Sequence, residues 1–337
     1  MKFDSRFLTV DIPDSFWKLQ KLPTAIRIIT LLAILLSGCL FIIRMRSIVN
    51  IKPGEGESID NVAFPIFQMV PSKLKYLPFS IFLSNFVDTS GWKFIVNFCN
   101  LTIGGSYIER NWGSSKEMFK FLLVLGTLTN VIVVLLTIAL SFIIPGIDLN
   151  KPIDGNYTVL IGFPIVYKQL LPETSIFDLK NVPLISKNFR FKLLPIFVIC
   201  TVTLIQILWL HHFAQLISIW LTFISTWMYL RFFQLLPLYG TDASNSENIL
   251  RGDSSDTFQF IYLFPDIVKP ILRPVFSYVY EVFCIKLRLI RPFETTDIDK
   301  GNSVAEQRGA KPIGTPSTEA NERRKQKALE VLQERMV

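Results

Sequence analysis

Apolar residues along this chain gather into long runs separated by short polar stretches, a pattern of helices buried on most sides and not of alternating strands. The first run, Ala25 to Ile43, follows an amphipathic lead-in from Ile12 to Leu22 and a break at Pro23, and it ends at Arg44 and Arg46. It has no small-residue cleavage pair and follows a charged segment, so it reads as a retained anchor and not as a signal peptide. The loop after it, Ser47 to Gly91, carries Phe64, Phe67, Leu77, Phe79, Ile81 and Phe82, and is expected to lie partly on or in the membrane interface. A second run from Trp92 holds Asn97 and Asn100, amides that must find partners inside a bundle. Phe119 to Ile144 is the third run, stopped by Pro145 and Gly146. Tyr157 to Leu171 is the fourth; at about fifteen residues it is marginal for crossing roughly 30 Å of hydrocarbon, which suggests a central helix shielded by its neighbours. Leu193 to Trp209 and Phe213 to Phe233 complete the set, joined by a very short hinge from Leu210 to His212.

Six helices place both termini on one side. Lys180, Lys187, Arg190 and Lys192 crowd the loop between the fourth and fifth, whereas the loop between the third and fourth has only Lys151, so the termini are expected in the cytosol. Arg44 and Arg46 run against that orientation. The expected fold class is an all-α polytopic membrane protein: residues 1–24 form a cytosolic or interfacial lead-in, 25–234 a six-helix transmembrane domain, and the rest a cytosolic tail. Within the tail, 235–293 is aromatic, charged and interrupted by Pro270 and Pro274, which suits an interfacial segment. The stretch 294–319 reads as a flexible linker. In 320–337, the basic cluster at Arg323 and Arg324 precedes Leu329 and Leu332 at helical spacing, giving an amphipathic helix for anionic lipid or a protein partner.

Composition sharpens the class. The chain has 337 residues, is 50% hydrophobic with 29 Phe, and carries a net charge of +8, too apolar for an ordinary soluble domain. Its basic residues sit in the tail and a few loops, where they suit a membrane surface; nucleic acid is not an expected partner. The four cysteines, Cys39, Cys99, Cys200 and Cys284, have neither metal-ligand spacing nor an obvious disulfide pairing and read as buried small hydrophobes. No metal or cofactor is implied.

The stretch Trp92 to Glu117 combines those two amides with Gly104-Gly105 and a polar, aromatic closure at Glu109, Arg110, Trp112 and Gly113. This order resembles the second transmembrane helix of the rhomboid superfamily, and the resemblance implies a rhomboid-like bundle. A serine rhomboid pairs a serine in a G-x-S-G-x-x-x-G stretch with a histidine opening its sixth helix, because a hydroxyl must lose its proton to an imidazole. Here Gly155 and Gly162 keep the frame, but Tyr157 occupies the serine's place and Thr158 that of the next glycine. Lys93 stands where the family has a histidine four residues ahead of the retained Asn97. His211 matches the base, although an isolated histidine at a helix start is more often a hydrogen-bonding interface residue, as is His212. The resemblance therefore implies a pseudoprotease.

Within that superfamily, Glu109-Arg110 with Trp112-Gly113, Lys168-Gln169-Leu170 with Pro172-Glu173, Tyr229-Leu230-Arg231-Phe232, Gly252-Asp253, Phe264-Pro265 and the terminal Arg323-Arg324 with Leu332 are similar to the rhomboid-like transmembrane protein 115 family. That likeness implies a Golgi membrane location, with the endoplasmic reticulum as the alternative. It also implies a part in Golgi-to-endoplasmic-reticulum retrograde transport and contact with the conserved oligomeric Golgi tethering complex. Membrane lipids, transmembrane clients and a second copy of the chain are further candidate partners. Two rival functions stand beside this adaptor: an intramembrane protease using Ser218 or Ser225, at poor geometry for a dyad on the same helix as His211, and a small-solute transporter using Asn97, Asn100, Asn130 and Gln215.

Overall fold

The computed structural model describes residues 2–4, 8–11, 22–50, 64–144, 147–155, 157–172, 177–179, 193–210, 212–237, 249–265, 268–287 and 293–310. Its body is a helix bundle: α1 (Thr24–Asn50), a short α2 (Ser80–Leu83), α3 (residues 91–112), α4 (Ser115–Ser141), α5 (Thr158–Leu170), α6 (residues 194–210) and α7 (Phe213–Phe233). Among the described residues, three stretches, Thr24–Arg46, Ser115–Ser141 and Phe213–Phe233, are long and apolar enough to cross a membrane, and Thr158–Leu170 and Leu194–Leu208 are shorter apolar helices. The all-α membrane architecture expected from the sequence is the one found.

The short α5 sits in the middle, with all of Phe163 to Leu170 buried. Its neighbours meet it through aromatic rings: Phe121 of α4 stacks on Phe163 at 6.2 Å, meets Trp112 of α3 edge-on at 5.5 Å and leans on Tyr229 of α7 at 5.9 Å. Close approach is permitted by glycine where α3 widens into a π-type turn at Asn100–Gly105; a Cβ on Gly104 would collide with the Tyr167 hydroxyl, and one on Gly105 with Ile26. The outward faces expose Leu31, Leu35 and Phe41 on α1, Leu128 and Leu135 on α4, and Leu204 and Leu208 on α6, the apolar coat that a bilayer solvates.

Two small sheets flank the bundle. β1 (Lys2–Asp4) and β2 (Leu8–Asp11) pair antiparallel with β3 (Phe177–Leu179), joining the N-terminal lead-in to the loop between α5 and α6. β4 (Leu235–Pro237), leaving α7, pairs antiparallel with β5 (Ile249–Arg251). Turns at Asp256–Phe258 and Phe260–Leu263 lead to α8 (residues 269–286), and α9 (Thr295–Gln307) follows.

Several expectations need correction. The described part of the first loop, 64–91, packs into the bundle in addition to exposing Phe79 and Phe82: Asn130 of α4 donates to Ile81 O at 3.1 Å, to Ser84 Oγ at 3.2 Å and to Asn85 Oδ1 at 2.9 Å, and Met69 bridges to Ile153. The proposed linker 294–319 contains α9, which a capping box of Glu294 and Asp297 starts and which buries Val304 and Ala305. Cys39, Cys99 and Cys200 are exposed on outer faces and not buried. Residues 311–337, and with them Arg323, Arg324, Leu329 and Leu332, lie outside the described residues, as does His211.

Candidate functional site

The two ends of α3 carry two polar clusters, about 24 Å apart by the helical rise from Lys93 to Glu109. At the first end, the buried Lys93 Nζ pairs with Asp154 Oδ2 at 3.0 Å and lies 4.4 Å from the centre of the Tyr157 ring. Thr89 Oγ1 donates to the same carboxylate oxygen at 3.2 Å. Gln215, one turn into α7, closes the set: its amide nitrogen donates to the Tyr157 hydroxyl and its carbonyl accepts the Asp154 backbone N–H at 3.1 Å. Asn97, a turn further along α3, donates to Asp88 Oδ1 at 2.6 Å, and the Asp88 backbone N–H reaches Ser37 Oγ on α1 at 3.0 Å. Gly155 lets this loop approach, since a Cβ there would strike Ser84 and Asn130. Thr158 is buried near Gly126, and Gly162 packs close to Phe121 and Thr226.

His212 caps α7 here. Its Nδ1 accepts the Gln215 backbone N–H at 3.3 Å, and its Nε2 faces Pro152 O at 3.1 Å, which assigns the proton to Nε2. Burial, with Lys151 nearby, holds this imidazole below its ordinary pKa. Among the described residues, neither ring nitrogen of His212 bonds a hydroxyl.

At the other end, Glu109 does the work of a helix cap for a different helix. Its two oxygens accept the backbone N–H groups of Ala25 at 3.1 Å and Ile26 at 3.0 Å, at the start of α1, and Ser115 Oγ donates to it at 2.5 Å. A buried carboxylate is thereby stabilised by the orphan donors and dipole of α1. Gly113 ends α3 in the left-handed region, φ 62°, its N–H on Glu109 O at 3.1 Å, so the turn into α4 demands glycine. Ser114 caps α4 through the Glu117 N–H at 3.3 Å, and Glu117 accepts from Lys120 at 2.6 Å, Tyr229 Oη at 2.8 Å and Leu235 N at 3.2 Å. Gln169 donates to Gln234 at 3.0 Å. Arg231 Nη1 donates to Asp253 O at 2.6 Å and Ser255 O at 2.5 Å, and Gly252, φ 70°, brings that turn against the Arg231 carbonyl, where a side chain would not fit.

The structure thus brings Lys93 and Tyr157 together, with Asn97 one turn away, and separately brings together Glu109, Gly113, Gln169, Tyr229, Arg231 and Asp253. Arg110 is half-buried within the last turn of α3, and Trp112 is buried in the aromatic core. Asp88, Asp154 and the capping role of His212 were not anticipated. Asp154 stood in a loop beside Gly155 with no periodicity, so its only signal was a carboxylate one residue outside the glycine frame.

Polar groups packed at both ends of an all-α bundle with apolar outer faces suit an integral membrane protein. The family model described as "Eukaryotic integral membrane protein (DUF1751)" matches residues 27–337, and the chain belongs to that family. It is 54% identical over 345 residues to "Transmembrane protein 115 homolog" of Saccharomyces cerevisiae, covering 100% of this chain and 99% of that protein. It is 27% identical over 273 residues to "Rhomboid-like protein 19" of Arabidopsis thaliana, covering 81% of each. Against human "Transmembrane protein 115" the identity is 24% over 250 residues, 73% of this chain and 64% of that one. No solved structure matches the chain.

Proposed function

We propose that this protein is a non-catalytic rhomboid-like scaffold of the Golgi membrane that acts in retrograde transport to the endoplasmic reticulum. The observation that carries the non-catalytic part is the filled cluster at Lys93. The tyrosine in the rhomboid nucleophile position is buried under an ammonium group that is itself paired to Asp154, and its hydroxyl is held by Gln215. That arrangement spends on structure the groups a protease would keep free for a substrate carbonyl. The trafficking part rests on the family, through the resemblance to transmembrane protein 115.

In this reading the chain crosses the membrane six times with both termini in the cytosol. Arg44, which argues against that orientation as a free charge, is buried and donates to the Thr89 carbonyl, so it counts as an internal contact in place of a topological signal. The β1-β2-β3 sheet joins the N-terminal lead-in to the α5–α6 loop, which the same orientation puts together in the cytosol. Candidate partners are the conserved oligomeric Golgi complex at the tail, transmembrane clients or lipids along the bundle, and a second copy of the chain. Proximity labelling by the intact protein in its own cell tests the proposal. Enrichment of Golgi tethering and coat subunits is the expected result; labelling confined to endoplasmic-reticulum residents would overturn the Golgi placement.

A further inference from the structure

Beyond the bundle, α8 is amphipathic in an unusual way. Its inner side is held at several points: Phe276 meets Phe260 at 4.9 Å and Phe264 at 5.8 Å, and Lys269 lies 4.5 Å from the centre of the Tyr262 ring. Past its end, Phe293 stacks on Phe232 of α7 at 5.4 Å and covers the Arg231 guanidinium at 4.9 Å. α9 then locks the return: Asn302 bonds the Asp256 backbone N–H at 2.8 Å and its carboxylate at 3.0 Å, and Ser254 donates to Asp297 O. Yet the outer side of α8 leaves Ile271 at 72%, Val275 at 53% and Tyr278 at 63% exposed, an apolar stripe at helical spacing with none of the described residues over it. In an integral membrane protein such a stripe suits the boundary between headgroups and acyl chains.

Between this strapped helix and α7 lies a cavity of about 390 Å³, within the range of small-ligand sites. One wall is aromatic, with Trp227 and Phe260 at 4.8 Å and Phe276 beyond them. Two arginines line it. Arg231 makes both of its backbone bonds through Nη1, while Arg273 is exposed and has no hydrogen bond or ion pair among the described residues. Among the described residues the one lining carboxylate is Asp256, and it is engaged by amides, accepting from Gln259 at 3.1 Å as well as from Asn302.

We propose that this cavity binds an anionic phospholipid, its phosphate between Arg273 and Arg231 and its first acyl carbons along the Trp227, Phe260 and Phe276 wall. An arginine fork recognises phosphate oxygens by charge-assisted hydrogen bonds, and the aromatic wall with the exposed stripe of α8 supplies what a soluble phosphate would not use. The site stands independently of the trafficking role.

Native mass spectrometry of the purified full chain in detergent tests it, titrating dioctanoyl phosphatidic acid, dioctanoyl phosphatidylcholine and glycerol 3-phosphate. Phosphatidic acid is expected to bind at least about tenfold more tightly than either of the others. Arg273→Gln should lose about tenfold for phosphatidic acid with an unchanged melting temperature, because the side chain is exposed and has no partner among the described residues. Ser277→Trp, which fills the cavity from α8, should lose the lipid by steric exclusion. Equal binding of the two lipids, or wild-type affinity in both variants, overturns the proposal. Glycerol 3-phosphate binding as tightly as phosphatidic acid overturns it too, by making the site one for a soluble anion.

Discussion

Both ends of α3 bury charge, but they bury it differently. At the Glu109 end, side chains satisfy backbone: a carboxylate caps α1, an arginine holds the Asp253 turn, and Glu117 takes the Leu235 N–H just beyond α7. At the Lys93 end, side chains mostly satisfy each other, Lys93 with Asp154, Asn97 with Asp88, Gln215 with Tyr157. The first arrangement fixes where chain segments start and stop, so it constrains the fold directly. The second has fewer ties to backbone, chiefly the Gln215 side chain on the Asp154 N–H, so most of its pairs can be exchanged together for apolar packing of the same shape while the helices keep their ends.

That contrast sets the order of expected effects. Glu109→Ala removes three charge-assisted bonds and orphans two buried backbone donors, and should cost about 4 kcal/mol. The check is the detergent melting curve and folded yield, and unaltered melting would dissolve the distinction between the ends. Asp154→Asn removes the carboxylate paired to the buried Lys93 ammonium and leaves it, among the described residues, only the Asp88 charge, which should cost about 3 kcal/mol, whereas Lys93→Met/Asp154→Asn should recover most of it. A double-mutant cycle showing no coupling would mean that the pair does not organise this end. Arg231→Lys keeps the charge but not the two-carbonyl grip, for about 1–2 kcal/mol, read as faster proteolysis within 235–310 than in the bundle.

The smallest effect is the pH dependence of the His212 cap. Its folded pKa lies below the unfolded one, so the neutral ring's contribution is fully present above pH 6.5 and is lost as pH falls through the depressed value. His212→Asn keeps a capping side chain without titrating, and its melting temperature should therefore fall less on acidification than that of the wild type. A steeper acid loss in the variant would reverse the assignment.

Much of the bundle was legible because membrane helices announce themselves by apolar run length, and α5 by its shortness. The motif around Glu109 was legible as a cluster in sequence, but not what it holds: Ala25 lies far away along the chain, and only packing reveals a carboxylate capping another helix. Asp154 and Asp88 escaped notice because loop carboxylates carry no period. α9 escaped because its composition, with Gly301 and several charges, reads as solvated chain, although Glu294 and Asp297 at capping-box spacing were its visible signal. Gly301 sits against Ser254 and Ser255, so a residue that lowers helix propensity there is what permits docking.

On the proposed function, the Lys93 cluster is a structural lock in a rhomboid-like frame and not a reaction centre. Incubating the purified full-length protein in lipid vesicles with a rhomboid-type transmembrane substrate tests it most directly, with His212→Ala, His211→Ala and Tyr157→Phe alongside. None of the four proteins should cleave the substrate, and Tyr157→Phe, which deletes the hydroxyl that Gln215 holds, should melt at a lower temperature. Cleavage by the wild type that disappears in either histidine variant would contradict it.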